Sequence, residues 1–285
     1  MRIEDCIVTV ERRDGGGCFD MAIAFLRQFL WPITRLTLCF AVPSCFIIWY
    51  IQQDETDALA WAPPIFLAFQ AVWSATLVAA IGPQVFGVPI SVRRALRAVL
   101  RRSVLYLALT GFFRLFQWLL GLLIIPGLIA SVLMESWGGH LAEVMFLENA
   151  PASRVTSRLS WLCGGGGYGR NLPRLLMLWL FGLAMTPAII LLLDFLMLIV
   201  TRNTVCIGPL LDAMRGLESD RTRKLTALFS DSPGFLLQVQ ISLWIVMPLL
   251  RIAWFMCYLD QRIRNECWDL DLKFKLEASR LENAA

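Results

Sequence analysis

The chain reads as an all-α membrane protein, a polytopic transmembrane helical bundle of about six spans with interfacial amphipathic helices and a cytosolic C-terminal helix. Three observations predict this. Five long apolar runs lie at 36–51, 61–82, 103–134, 175–200 and 235–257, on the scale of the ~20 apolar residues with which a helix crosses a ~30 Å hydrocarbon core. Hydrophobic residues make up 58% of the 285 and charged residues 17%, with a mean hydropathy of +0.63, whereas a soluble domain carries about 25% charge. Basic residues gather between alternate runs, as membrane orientation requires.

The run from 103 onward is long enough to cross twice, and Pro126-Gly127 breaks it, because proline stops the helical hydrogen-bond ladder and Pro-Gly favours a turn. Six spans follow, at about 34–52, 61–82, 103–125, 128–147, 175–200 and 235–258. The fourth is the most polar, through Glu135, Ser136, Gly138, Gly139, His140 and Glu143. The expected organisation is a cytosolic segment 1–33 with an interfacial helix, one transmembrane domain 34–258, and an amphipathic cytosolic helix 259–285. No secretory signal is expected ahead of the first span, since residues 1–20 hold five acidic side chains and no apolar core.

Of 26 Lys and Arg, 19 lie in the N-terminal segment and its junction with the first span, the 93–102 segment, the segment between spans four and five, and the segment after span six. The acidic loop 52–60 has none. The positive-inside rule then places both termini in the cytoplasm, and an even number of spans agrees. Trp49 and Trp61 flank the acidic loop, as aromatic rings do at headgroup depth. The expected location is the inner, cytoplasmic membrane of a bacterium. A net charge of +4 is too small to suggest nucleic acid as a partner.

Amphipathic helices are expected outside the spans. Phe19, Ile23, Leu26 and Leu30 form an apolar stripe leading into the first span. Arg93, Arg94, Arg97, Arg101 and Arg102, interleaved with Val92, Leu96, Val99 and Leu100, suit contact with anionic lipid. Ile207, Leu210, Leu211, Met214 and Leu217 mark a surface helix between spans five and six. After span six, Leu259, Ile263, Cys267, Leu270, Phe274 and Leu281 repeat at helical spacing. That stripe needs cover from this chain, from another subunit or a membrane or cytosolic protein, or from the membrane surface, and it is the expected docking face for a partner.

Candidates for chemistry are the ionisable residues inside the apolar runs: Arg114, Glu135, His140, Glu143, Asp194 and Arg251. Each is costly against lipid and should face the bundle and pair. Counting from the Pro126-Gly127 turn at ~1.5 Å per residue brings Arg114 level with Glu135, and counting from the inner ends of spans six and four brings Arg251 near the depth of Glu143, while Asp194 seeks a polar partner nearer the outer face. These residues read either as pins that hold helices in register or as a path for substrate or protons. His140 and Glu143, one turn apart, also read as a base with its orienting carboxylate or as two metal ligands. With one histidine and eight scattered cysteines, zinc and iron-sulfur sites are not expected, nor is any cofactor. Gly164 to Gly167 lack the G-K-[ST] ending of a phosphate loop and read as a flexible linker.

The segments I-P-G-L-I at 125–129, E-V-M-F-L-E-N-A-P at 143–151, R-L-S-W-L-C-G-G at 158–165 and Y-L-D-Q-R-I-R-N-E-C-W-D-L-D-L at 258–272 resemble bacterial multi-pass proteins. These are grouped with the glycerophosphodiester phosphodiesterase membrane-domain and YciC-like families. The resemblance covers 95–285 and implies a bacterial cytoplasmic membrane. It supplies no catalytic residue, because the phosphodiesterase chemistry belongs to a soluble domain that these residues do not contain. The expected function is a non-enzymatic membrane scaffold or accessory subunit, with a small transporter or lipid-handling protein and an intramembrane hydrolase as alternatives.

Overall fold

A computed structural model describes residues 11–54, 58–85, 87–121, 125–215 and 233–267. Among them are ten α-helices and no strand: α1 (Gly15–Gln28), α2 (Leu30–Asp54), α3 (Ala58–Val85), α4 (Val92–Gly121), α5 (Ile125–Gly138), α6 (Leu141–Phe146), α7 (Ala152–Cys163), α8 (Gly167–Thr201), α9 (Ile207–Arg215) and α10 (Pro233–Glu266). Four stretches are long and apolar enough to cross a membrane: Leu30–Gln53, Ala60–Val85, Gly167–Thr201 and Gly234–Glu266. They match the first, second, fifth and sixth expected spans.

The middle pair differs from expectation. The C-terminal half of α4 and α5 form an antiparallel hairpin, as the pairings Phe113 with Gly138, Arg114 with Glu135 and Gln117 with Ser131 require. Yet 128–147 is not one span. Helix α5 stops at Gly138, and α6 begins at Leu141 after a turn at Gly139 and His140. With 14 residues, α5 is about 21 Å long, less than a bilayer core. Helix α2 runs to Asp54 and α3 begins at Ala58, each reaching further into the expected 52–60 loop than the spans predicted.

Local chemistry explains the helix ends. Asp14 caps α1 by accepting the Gly17 N–H at 2.8 Å. At the end of α3, the Gln84 side chain accepts the Ile90 N–H at 2.9 Å, and Gly87 takes the positive φ of 78° that turns the chain toward α4. Between α7 and α8 the glycines are a compact turn rather than a flexible linker. Gly165 and Gly166 hold φ of 56° and 80°, and the Gly167 N–H donates to Gly164 O at 2.9 Å.

The chain divides into two compact units. One comprises 1–33, 71–178 and 251–285, the other 34–70 and 179–250. In the first, α4 packs on α5 and α6, and α7 packs on α5 and α6. Its interior includes Cys18, Ala22, Phe25, Trp73, Leu77, Ile81, Leu159, Leu162, Phe255 and Tyr258. The buried face of α1 is therefore Cys18, Ala22 and Phe25, while Ile23 and Leu30 of the expected stripe are exposed, open to an interface. In the second unit, Cys206, Phe235 and Leu236 pack with Ile190, Val205 and Val239, and Phe66 meets Trp244 edge-on at 5.4 Å. Most of α8 is uncovered, with Leu180, Leu183, Phe195, Ile199 and Val200 exposed, as a helix solvated by lipid chains would be.

The stripe at the end of α10 is also corrected. Leu259 and Ile263 are buried by this chain itself, so neither is available to a partner. Cys267 is exposed just beyond the helix. Leu270, Phe274 and Leu281 lie outside the described residues.

Candidate functional site

The first unit carries three charged groupings, and each arises from helical spacing. In the hairpin, Arg114 Nη1 lies 3.5 Å from Glu135 Oε2, the expected pair. Gln117, one turn on from Arg114, completes a triangle: its Oε1 accepts from Arg114 Nη1 at 2.8 Å and its Nε2 donates to Glu135 Oε2 at 3.1 Å. Sequence reasoning missed Gln117, although its i+3 spacing from Arg114 was visible.

The second grouping depends on the break after α5. The Gly139 N–H donates to Glu135 O at 2.8 Å, and Trp254 Nε1 donates to Gly139 O at 3.0 Å. A Cβ at Gly139 would lie 2.5 Å from Glu135 O and 3.0 Å from Trp254 Nε1, so the turn needs glycine. It delivers His140 into the interior, where the imidazole stacks on Trp254 with centroids 4.3 Å apart and Tyr258 stands 5.6 Å away. Glu143 Oε1 is 2.9 Å from Arg251 Nη1, the second expected pair, and 4.0 Å from His140 Nδ1. His140 and Glu143 are fully buried. Both imidazole nitrogens, both Glu143 oxygens and Arg251 Nε make no hydrogen bond among the described residues.

The third grouping lies along the C-terminal turns of α10. Tyr258, Arg262 and Glu266 share one face of α10, and Asp260 and Arg264 another. Tyr258 donates to Glu148 Oε1 at 2.7 Å, Arg262 Nη2 pairs with Glu266 Oε2 at 2.7 Å, and Arg158 of α7 bonds both Glu148 and Glu266. Asp260 accepts the Arg13 N–H at 2.7 Å, Arg174 Nη2 at 2.6 Å and Arg264 Nε at 2.8 Å. Arg174 and Arg264 also donate to Arg13 O, at 2.8 and 2.7 Å. Asn171 hydrogen-bonds Gln261 and donates to Ser136 O at 3.2 Å. This network joins the N-terminal segment, α7, α8 and α10. Its one legible trace was the i, i+4 charge alternation of Asp260 with Arg264 and Arg262 with Glu266.

Asp194 belongs to the second unit and does not wait for a charged partner. Its carboxylate accepts the backbone N–H groups of Val205, Cys206 and Ile207 at 2.7, 3.1 and 2.7 Å, and Gln238 Nε2 at 3.2 Å. It fixes the turn between α8 and α9.

The arginine cluster divides. Arg93, Arg94, Arg97 and Arg101 are exposed on the first turns of α4, whereas Ala95 and Val99 on the same helix are buried. Arg102 is turned inward instead, with Nη1 donating to Met145 O at 3.0 Å and Ala150 O at 3.2 Å, and Nη2 to Asn149 O at 3.3 Å. It satisfies carbonyls at the end of α6 and leaves the lipid-contact set. Among the described residues, no three His, Cys, Asp or Glu side chains are grouped so as to hold a metal ion.

No family model, curated protein or solved structure matches this chain.

Proposed function

We propose that the chain is a non-enzymatic scaffold or accessory subunit of a bacterial inner-membrane assembly, with both termini cytoplasmic. One observation carries this reading: charged side chains inside the first unit are paired with opposite charges of the same chain, Arg114 with Glu135, Arg251 with Glu143 and Arg174 with Asp260. Paired charges of this kind specify which helices meet and in what register, a structural task. The proposed kinship of 258–272 to bacterial multi-pass proteins accords with this, since Tyr258, Asp260, Arg262, Arg264 and Glu266 take part in the third network. The basic head of α4 suits anionic lipid at the inner surface. The expected orientation does not depend on whether the α4–α5 hairpin crosses fully or returns from within the bilayer, because either way its ends lie on one side.

The test is a double replacement at Arg251 and Glu143. Arg251→Leu or Glu143→Leu alone leaves a buried charge and should reduce monodisperse protein recovered in mild detergent; Arg251→Leu with Glu143→Leu should restore it. A double variant that folds no better than the singles would count against a structural role for the pair.

A second reading, a small transporter or lipid-handling protein, is favoured by the two imidazole nitrogens of His140 and Nε of Arg251, which are buried without a hydrogen bond among the described residues. Buried polar groups without partners are where water or a small polar solute binds. Under this reading His140→Phe retains the fold, since the ring still stacks on Trp254, and abolishes solute or proton flux into proteoliposomes. Equal flux from the variant and the wild type would exclude it.

A further inference from the structure

Arg13 is held by its backbone. Its N–H donates to Asp260 Oδ1 at 2.7 Å, and its carbonyl oxygen accepts from Arg174 Nη2 at 2.8 Å and from Arg264 Nη2 at 2.7 Å. Asp260 also accepts from Arg174 Nη2 at 2.6 Å and from Arg264 Nε at 2.8 Å, which fixes the two guanidinium groups on either side of that oxygen. A neutral carbonyl thus fills a position between two cations. Asp260 balances one of them, and one positive charge is left over. Arg174 is 5% exposed, and its Nη1 is buried with no hydrogen-bond partner among the described residues. Guanidinium donors match the charged oxygens of phosphate better than a single carbonyl, so the site is under-filled by its present occupant.

Its depth points to the same chemistry. Arg174 immediately precedes the apolar run 175–200, and Asp260 and Arg264 follow the run 235–257 within two turns. Basic residues at the ends of apolar runs lie level with lipid headgroups. The covering segment is also joined to α1 by a weak turn. Gly15, Gly16 and Gly17 open that helix, and glycine gives up more conformational freedom in a helix than any other residue. A Cβ at Gly16 would meet nothing closer than the Asp14 carboxylate at 4.0 Å, so packing does not account for glycine there. The helix beyond is docked separately, through Cys18, Ala22 and Phe25.

We propose that Arg174 and Arg264 form a binding site for a phosphate group, presented by an anionic lipid headgroup or free in solution, which the N-terminal segment closes with the Arg13 carbonyl. Phosphate and segment compete. A phosphate oxygen takes the two Nη2 donors, Arg174 Nη1 supplies a further one, and Asp260 keeps the guanidinium groups in place. The Arg13 N–H and carbonyl pass to water, with Gly15 to Gly17 as the hinge.

The experiment follows hydrogen exchange in the peptide covering residues 11–17, by mass spectrometry of the full chain in nonionic detergent at constant ionic strength. Inorganic phosphate is compared with chloride, and phosphatidylglycerol with phosphatidylcholine in mixed micelles. Exchange should rise about tenfold to a plateau as the segment is released. A rise with phosphatidylglycerol alone assigns the site to a lipid headgroup, and a rise with inorganic phosphate alone assigns it to the free ion. Arg264→Gln should abolish the rise. Should that variant fail to fold, Arg13→Pro removes the N–H that Asp260 holds and leaves the site's side chains intact; the effective ligand should then protect it against heat at lower concentration than it protects the wild type. A wild-type rate that neither probe moves, or that chloride or phosphatidylcholine moves equally, would overturn the proposal. So would an undiminished rise in Arg264→Gln, or an unchanged ligand requirement in Arg13→Pro.

Discussion

Charge and shape act together in the hairpin of α4 and α5. Arg114, Gln117 and Glu135 form a closed triangle, so removing one charge strands the other in a low-dielectric medium, whereas removing both does not. Breaking a buried pair costs about 3–5 kcal/mol, and replacing both partners can be near neutral. Arg114→Leu and Glu135→Leu should each lower the folded fraction in detergent, and the double variant should recover most of it; a thermodynamic cycle over the four proteins measures the coupling. The glycines give a second contrast. Gly139→Ala places a Cβ against Glu135 O and the Trp254 indole and should cost about 1–3 kcal/mol, as overpacking does. Gly111→Ala meets nothing within 4 Å and sits within α4, so it should be neutral or stabilising by up to about 1 kcal/mol. Thermal unfolding of the two variants side by side checks the sign of each.

At the scale of elements, α4 shows how one helix serves two environments. Its exposed arginines face outward, while Arg102 closes the carbonyl end of α6. Replacing Arg93, Arg94, Arg97 and Arg101 together by glutamine should reduce the stabilisation that phosphatidylglycerol gives over phosphatidylcholine in mixed micelles, by about 1 kcal/mol per arginine at low salt. Arg102→Gln should instead lower stability equally in both lipids. Helix α10 carries a related distinction. Because Ile263 is 6% exposed within the chain, Ile263→Ser should destabilise the isolated protein by about 1.5–3 kcal/mol, whether or not a partner is present. An effect seen only on assembly would show that the side chain is covered by another molecule.

For the whole molecule, orientation is the property most open to measurement. Four helices are long and apolar enough to cross a membrane, and the proposed orientation, with both ends of the chain in the cytoplasm, follows from the distribution of basic residues. In a background without native cysteines, a cysteine at position 56 should react with a membrane-impermeant maleimide in intact cells, and one at position 153 only after lysis. Labelling at 153 in intact cells would reverse the assignment. Labelling at both positions would mean that an even number of segments crosses between them.

The sequence by itself determined the helical class, the four helices long and apolar enough to cross a membrane, and two ion pairs. These depend on one-dimensional quantities, apolar run length and a rise of ~1.5 Å per residue, that hold for any helix in lipid. Counting from Pro126-Gly127 brought Arg114 to Glu135, and counting from the inner ends of the sixth and fourth expected spans brought Arg251 to Glu143. The third dimension decided the rest. A double glycine before His140 could end a helix or continue it, and the Trp254 indole over Gly139 makes it a break. Asp194 looked like an unpaired charge because backbone N–H groups carry no mark in a sequence. Leu259 and Ile263 looked like a docking face because periodicity reveals which side of a helix is apolar and never what covers it. Only packing brought Arg13, Arg174 and Asp260 into one place, since hydrogen bonds between distant parts of the chain have no spacing rule to betray them.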